Sequence, residues 1–188
     1  TLSGELWIGG SNIPGEYFLP QRLGGFRKKY PAVRPILRIG DSAGIIDDLL
    51  DGKVELAVVG YKAEDSRLRF EKIWDDEMIL AVPKDHPWGR RKSIQVSDLK
   101  TEKFISRERG SGTLQSMRQL LAKSGEPTEA VLSISMELGS TEAIKEAVLA
   151  GYGISILSRI AIRQELADGR LVEVPIRDLV MERGFYEV

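Results

Sequence analysis

Cysteine is absent from this chain and histidine occurs once. The first absence removes any disulfide framework and any thiolate metal site, and the second leaves too few imidazoles for a histidine-based metal centre. No cofactor is expected. The apolar runs fall far short of the roughly 18 residues that a membrane-spanning helix needs, and no signal-peptide pattern opens the chain. The protein therefore reads as cytoplasmic, with no membrane partner. An excess of one charge is missing too: 27 basic and 28 acidic side chains give a formal net charge of −1. A surface that itself follows a nucleic-acid backbone needs clustered Lys and Arg, which this balance does not supply. The short runs Arg27-Lys28-Lys29 and Arg90-Arg91-Lys92 read as solvated helix and loop faces.

What is present is 188 residues, 42% of them hydrophobic, enough to bury one good core or two small ones. The sequence begins at Thr1 and not at Met, so it is expected to be a fragment lacking an N-terminal part.

Strand and helix signals alternate along the first sixty residues. Glu5 to Ile8 is strand-like, and Phe18, Leu19, Leu23 and Phe26 predict a helix from Gly15 to Lys29, stopped by Pro31. Pro35 to Ile39 is a second strand, Ala43 to Leu50 a second helix closed by Gly52, and Glu55 to Val59 a third strand. Ile73-Trp74 and Met78 to Val82 are two more strands, joined across Asp75-Asp76-Glu77. A second unit repeats the plan: strand Phe104-Ile105, helix Leu114 to about Ser124, strand Val131 to Met136, helix Thr141 to Ala150, strand Ile154 to Leu157. A helix from Arg159 to Ala167 and strands at Leu171 to Val174 and Phe185 to Val188 complete the chain. This order predicts an α/β protein with two lobes and a cleft, its ligands bound beyond the carboxyl ends of the strands.

Four strand-to-helix corners share one design: Gly9-Gly10-Ser11-Asn12, Gly40-Asp41-Ser42, Gly110-Ser111-Gly112-Thr113 and Gly139-Ser140-Thr141. A helix N-terminus leaves backbone N–H groups unpaired and partially positive, and a Ser or Thr hydroxyl adds a donor, so each corner can receive an anion or a carbonyl. The alternative is that each hydroxyl only caps its own helix. Ser140, followed by Glu142, looks most like a plain cap. Catalysis finds no support. A nucleophile elbow needs Gly-x-Ser-x-Gly and a base, whereas the one histidine lies in the turn-like Asp85-His86-Pro87-Trp88. Neither a Walker loop nor a dinucleotide fingerprint is present. The chain is not expected to be an enzyme.

Several segments resemble the effector-binding domain of bacterial LysR-type transcriptional regulators. They are Leu6-Trp7-Ile8-Gly9, Tyr17-Phe18-Leu19-Pro20, Phe26 to Pro31, Gly40-Asp41-Ser42, Leu49 to Ala57, His86-Pro87-Trp88, Gly151 to Ser155 and Arg183-Gly184-Phe185-Tyr186. The segment Arg107 to Thr113 is similar to the version found in regulators of carbon fixation and of sulfur metabolism. The resemblance implies a two-lobed fold of the type 2 periplasmic-binding-protein kind, each lobe a mixed sheet with helices on both faces. The first lobe would comprise residues 1–73 plus 160–188 and the second residues 74–159. A small metabolite, a carboxylate, phosphate or sulfur oxyanion, would bind between the lobes and change oligomer geometry to control transcription. By position it would touch Gly10, Ser11, Asn12, Ser42, Arg107, Ser111, Gly112, Thr113, Ser140 and Thr141. Ile13 and Pro14 would dry one wall, and Asp41 would oppose a polyanion unless Arg107 compensates. Arg107 could equally pair with Glu108 or with another carboxylate at the lobe surface. The resemblance further implies a homodimer built on the rims of the helices at Gly15 to Lys29 and Thr141 to Ala150, and a tetramer of the full-length protein. DNA would be bound through an N-terminal winged helix-turn-helix absent from this chain, with RNA polymerase a further partner. The competing readings are the solute-binding protein of a transporter and, further off, a bilobal enzyme such as a prephenate dehydratase domain.

Overall fold

The computed structural model describes residues 2–188; Thr1 lies outside the described residues. The chain divides into two compact units. One holds residues up to Asp75 with Gly110–Gly112 and Gly184–Val188, and the other holds Asp76–Arg109 and Thr113–Arg183.

The first unit is built on β1 (Gly4–Ser11), β2 (Val33–Gly40) and β3 (Leu56–Val59). β1 pairs in parallel with β2, from Gly4 opposite Val33 to Ser11 opposite Gly40, and on its other side with β3 from Ile8 opposite Leu56. This is the expected parallel arrangement, since each connection passes through a helix: α1 (Leu19–Lys29) and then α2 (Ser42–Leu50). The last strand, β9 (Glu182–Glu187), runs antiparallel to β3 through Val58 opposite Glu187. Ile45, Ile46, Ala57 and Val59 form the buried core under α2. Phe18 stacks on Trp74 at 4.9 Å and tilts against Phe185 at 5.7 Å. The helix expected from Gly15 is instead a π-helical turn, Pro14–Phe18, followed by α1. Pro20 has no N–H to donate, so one unbroken ladder cannot run across it.

In the second unit the two strands expected on either side of Asp75-Asp76-Glu77 are one 13-residue strand, β4 (Glu71–Pro83). The charges do not break it because both inner ones are paired: Asp76 with Arg183, and Glu77 with Arg159. β4 pairs antiparallel with β7 (Ser155–Ser158) and with β8 (Leu171–Glu173). That second pairing explains why the residues from 160 to Arg183 group with this unit and not, as the sequence suggested, with the first. β5 (Lys103–Arg107) and β6 (Ser133–Leu138) form a parallel pair, ending with Arg107 opposite Leu138. Helices α3 (Gly112–Ala122), α4 (Thr128–Val131), α5 (Thr141–Leu149) and α6 (Arg163–Ala167) complete it. Val131 and Leu132, expected to open a strand, end α4 and close into the core with Trp88, Leu99, Phe104 and Leu121. The helix expected from Arg159 begins as a 3-10 turn, Arg159–Ile162.

His86 is the turn residue the sequence suggested. It caps the 3-10 turn Pro87–Arg90, its Nδ1 accepting from the Trp88 amide at 3.1 Å while Nε2 lies 3.3 Å from Glu102.

Two glycines test this packing with opposite signs. A Cβ on Gly153 would stand 2.5 Å from the Lys103 carbonyl oxygen, so Gly153→Ala is expected to destabilise by about 1–3 kcal/mol, the usual cost of overpacking. Gly24 in α1 faces open space, and Gly24→Ala is expected to stabilise by roughly 0.5–1 kcal/mol through helix propensity. Urea denaturation of both variants checks the pair.

Candidate functional site

Parallel pairing brings the four corners together two by two. Ser11, the last residue of β1, lies opposite Gly40, the last of β2, so the first and second corners are neighbours within the first unit. Arg107 and Leu138 end adjacent strands in the same way, and from there the chain leads on to α3 and α5.

In the first unit most of the corner polar groups are turned to structural use. Gly10 is required by close approach, since a Cβ there would meet the Gly15 Cα at 2.8 Å and Leu19 Cδ1 at 2.9 Å. Ser11 is buried. Asn12 donates from Nδ2 to the Gly40 carbonyl at 3.0 Å, which fixes the orientation of its amide. Its Oδ1 is buried and accepts no hydrogen bond among the described residues. Ile13 and Pro14 are buried in the fold. At the second corner the cap is Asp41, whose Oδ1 accepts from the Gly44 amide at 2.8 Å. Sequence reasoning weighed Ser42 as that cap. Relieved of the task, the fully buried Ser42 hydroxyl accepts from the Gly60 amide at 3.1 Å and ties α2 to the end of β3. The Ala43 amide donates to the Gly110 carbonyl at 3.2 Å, so two donors of the α2 N-terminus already have acceptors. Gly112 belongs to the same cluster: a Cβ on it would lie 2.7 Å from Ser42 Oγ and 3.0 Å from the Gly60 Cα. Gly110 adopts φ +90°, a left-handed conformation that favours glycine, and Ser111 beside it is buried.

The second unit is arranged differently. Ser140 is a cap, as the sequence suggested, its Oγ accepting from the Ala143 amide at 3.1 Å. Thr141, one residue into α5, is not: its Oγ1 accepts from Arg107 Nη1 at 3.0 Å. Arg107 turns its other edge to Glu108 in a two-point ion pair, Nε and Nη2 each 2.8 Å from a carboxylate oxygen. The carboxylate partner is thus the one the sequence left open, and the arginine serves the threonine as well. Thr113, near the start of α3, repeats the pattern with an arginine from the far end of the chain: Arg183 Nη1 donates to Thr113 Oγ1 at 3.1 Å. Arg183 Nε also donates to Asp76 Oδ2 at 2.8 Å, and the Ser158 hydroxyl donates to Asp76 Oδ1 at 2.6 Å. These side chains are well enclosed, with Thr141 3%, Arg107 5%, Thr113 7%, Asp76 7% and Arg183 9% exposed. Burial pushes the Arg183 guanidinium below its ordinary range; Asp76 opposes that shift and the positive charge of Arg107 adds to it. The two arginines therefore lie within each other's field.

Arg183, Asp76 and Ser158 belong to this cluster although the sequence did not mark them as site residues. Two signals were available: an arginine just before the closing Phe185-Tyr186, and an aspartate between two apolar strand-forming segments. A charge so placed needs a buried partner.

The structural relatives define the class of protein. The regulatory domain of CcmR from Synechocystis PCC6803, solved in complex with 2-PG, matches with a TM-score of 0.86 at 29% identity, over 98% of this chain and 86% of that one. The effector-binding domain of QuiR, solved with shikimate, matches with a TM-score of 0.86 at 22% identity, over 99% and 87% of the two chains, a likeness of fold. The fold is the type 2 periplasmic-binding-protein-like fold of effector-binding domains. The model of the LysR substrate binding domain matches residues 1–188, and the chain belongs to that family, the effector-binding domains of LysR-type transcriptional regulators. Among curated proteins, the RuBisCO operon transcriptional regulator of Acidithiobacillus ferrooxidans is 35% identical over 173 residues, 92% of this chain. The HTH-type transcriptional regulator CysL of Bacillus subtilis strain 168 is 31% identical over 182 residues, 97% of this chain. The chain spans 55% and 60% of the length of those two relatives. No helix among the described residues is long and apolar enough to cross a membrane.

Ser42→Ala removes the acceptor of a buried amide and is expected to cost about 1–3 kcal/mol. Asp41→Ala loses a cap at a partly exposed position and should cost roughly 1 kcal/mol. Thermal denaturation ranks the two. A larger loss for Asp41→Ala would reverse the assignment of cap and tie.

Proposed function

We propose that this domain senses a small anionic metabolite, a carboxylate, phosphate or sulfur oxyanion, held by the strand-to-helix corners. The observation that carries the reading is the pair of buried arginine–threonine contacts, Arg107 with Thr141 and Arg183 with Thr113, at the starts of two helices whose N-termini favour negative charge. Thr113, Thr141 and Arg107 are the contacts proposed from the second unit, with Ser140 behind them as the cap that holds α5 in place. Gly10, Ser11, Asn12, Ser42, Ser111 and Gly112 are proposed from the first unit. The 2-PG complex of the CcmR domain, and relatives that regulate RuBisCO operons, support an effector drawn from anionic metabolites. A charge-assisted hydrogen bond contributes roughly 1.5–3 kcal/mol and a helix N-terminus roughly 0.3–1. Set against an association cost of about 4 kcal/mol or more, three or four such contacts leave a dissociation constant on the order of micromolar to millimolar, suited to reporting a metabolite level.

In the whole regulator we propose that binding changes oligomer geometry, the ligand favouring one arrangement by a few kcal/mol. The dimer would use the rims of α1 and α5 across a two-fold axis, and full-length chains would form a tetramer that contacts DNA through an N-terminal helix-turn-helix and acts with RNA polymerase. A groove of about 570 Å³ beside α1, lined by Pro20, Leu23, Gly24, Pro35 and Leu37 together with the cationic Arg27 and Lys28, supports that use of α1.

Calorimetry of this domain with 2-PG, shikimate, sulfate and phosphate tests the reading. At least one anion is expected to bind, and Thr113→Val and Thr141→Val should each weaken it by about tenfold or more, the equivalent of one such hydrogen bond. Binding that survives both changes undiminished would move the site elsewhere.

A further inference from the structure

The two buried arginines can do more than add positive charge. An arginine has five N–H donors and no acceptor, so where its nitrogen lies 3.0 or 3.1 Å from a threonine oxygen the hydroxyl must be the acceptor. The proton of that hydroxyl is then left to point elsewhere. Neither Thr141 nor Thr113 donates a hydrogen bond among the described residues, although both side chains are more than nine-tenths buried. A buried donor without an acceptor is costly, and both stand at the carboxyl ends of adjacent parallel strands, where ligands of open α/β sheets bind. An ordinary threonine hydroxyl rotates to suit its ligand, donating to one and accepting from another. These two are committed.

We propose that Arg107 and Arg183 are positioning residues that make Thr141 and Thr113 obligate hydrogen-bond donors, so that the site selects a fully deprotonated oxyanion over one that carries a proton of its own. The inference rests on the reading of the corners as an anion site and adds the rule by which that site discriminates. Each arginine is held to its task by a carboxylate, Arg107 by Glu108 and Arg183 by Asp76, and the Ser158 hydroxyl fixes the latter. Because these carboxylates also balance the charge, the selection operates through hydrogen-bond direction more than through net charge.

Sulfate and inorganic phosphate near pH 8 are the appropriate probes, since both are tetrahedral dianions there but hydrogen phosphate must donate its own proton. Competition calorimetry on this domain is expected to show sulfate binding about tenfold or more tighter than phosphate, the consequence of leaving one proton without an acceptor. In Asp76→Asn/Arg183→Gln, which removes both charges together, Thr113 regains its freedom to accept and the preference should fall to within about threefold. Thr113→Ser keeps the hydroxyl and its arginine and should retain the preference, a result that a purely structural role of Arg183 would not require. Equal binding of the two anions by the unaltered domain, or a preference unchanged in the double variant, overturns the proposal while leaving the anion site standing. Binding of neither anion by the unaltered domain overturns the anion reading and the proposal with it.

Discussion

A buried charge inside a β-strand is tolerated only when a counter-charge meets it, and the pairing of Asp76 with Arg183 is the contact on which much else in this domain depends. Without Arg183, Asp76 would sit unpaired in the middle of β4, and the strand would have reason to break where the sequence suggested it does. With it, β4 runs unbroken for 13 residues, and the pairings with β7 and β8 form along its length. The pair also stands where the chain enters the second unit. Asp76, Thr113 and Arg183 each lie at a point where the chain passes from one unit to the other, and one line of hydrogen bonds joins all three. Ser158 closes that line from β7. Isolated surface ion pairs contribute little, but removing one partner of an enclosed pair leaves an uncompensated charge and costs about 3–5 kcal/mol.

The polar groups of the four corners are used unequally. In the first unit the Asp41 carboxylate, the Ser42 hydroxyl and the Asn12 amide nitrogen are spent on the chain itself, capping α2, tying it to the end of β3 and holding the end of β2. In the second, the threonine oxygens are held by arginines, and neither hydroxyl donates a hydrogen bond among the described residues. The relatives of the family are transcriptional regulators.

The alternation of strands and helices was legible in the sequence because it is written in local patterns: the apolar run at Glu55 to Val59, the alternation at Pro35 to Ile39, the helix of Ala43 to Leu50 closed by Gly52. The four corners were legible for the same reason. Their polar assignments were only partly so. Ser140 as a cap is a local matter and was readable, whereas the choice of Asp41 over Ser42 depends on the Gly60 amide arriving from β3 to claim the serine. The Asp76–Arg183 contact joins residues 107 apart and the Arg107–Thr141 contact residues 34 apart, and no window of sequence contains either pair. What the sequence did carry was an unexplained charge at each end: an aspartate inside β4 and an arginine second in β9.

A double-mutant cycle on Asp76 and Arg183 tests this account most directly. Asp76→Asn and Arg183→Gln, singly and together, are followed through urea unfolding by the near-ultraviolet signal of the aromatic core. Each single change is expected to destabilise by about 3–5 kcal/mol, and the double variant by less than their sum by at least about 1 kcal/mol, because removing both charges leaves neither exposed to an apolar surrounding alone. Strictly additive losses would show that the pair does not act as a unit and would contradict the central role assigned to it.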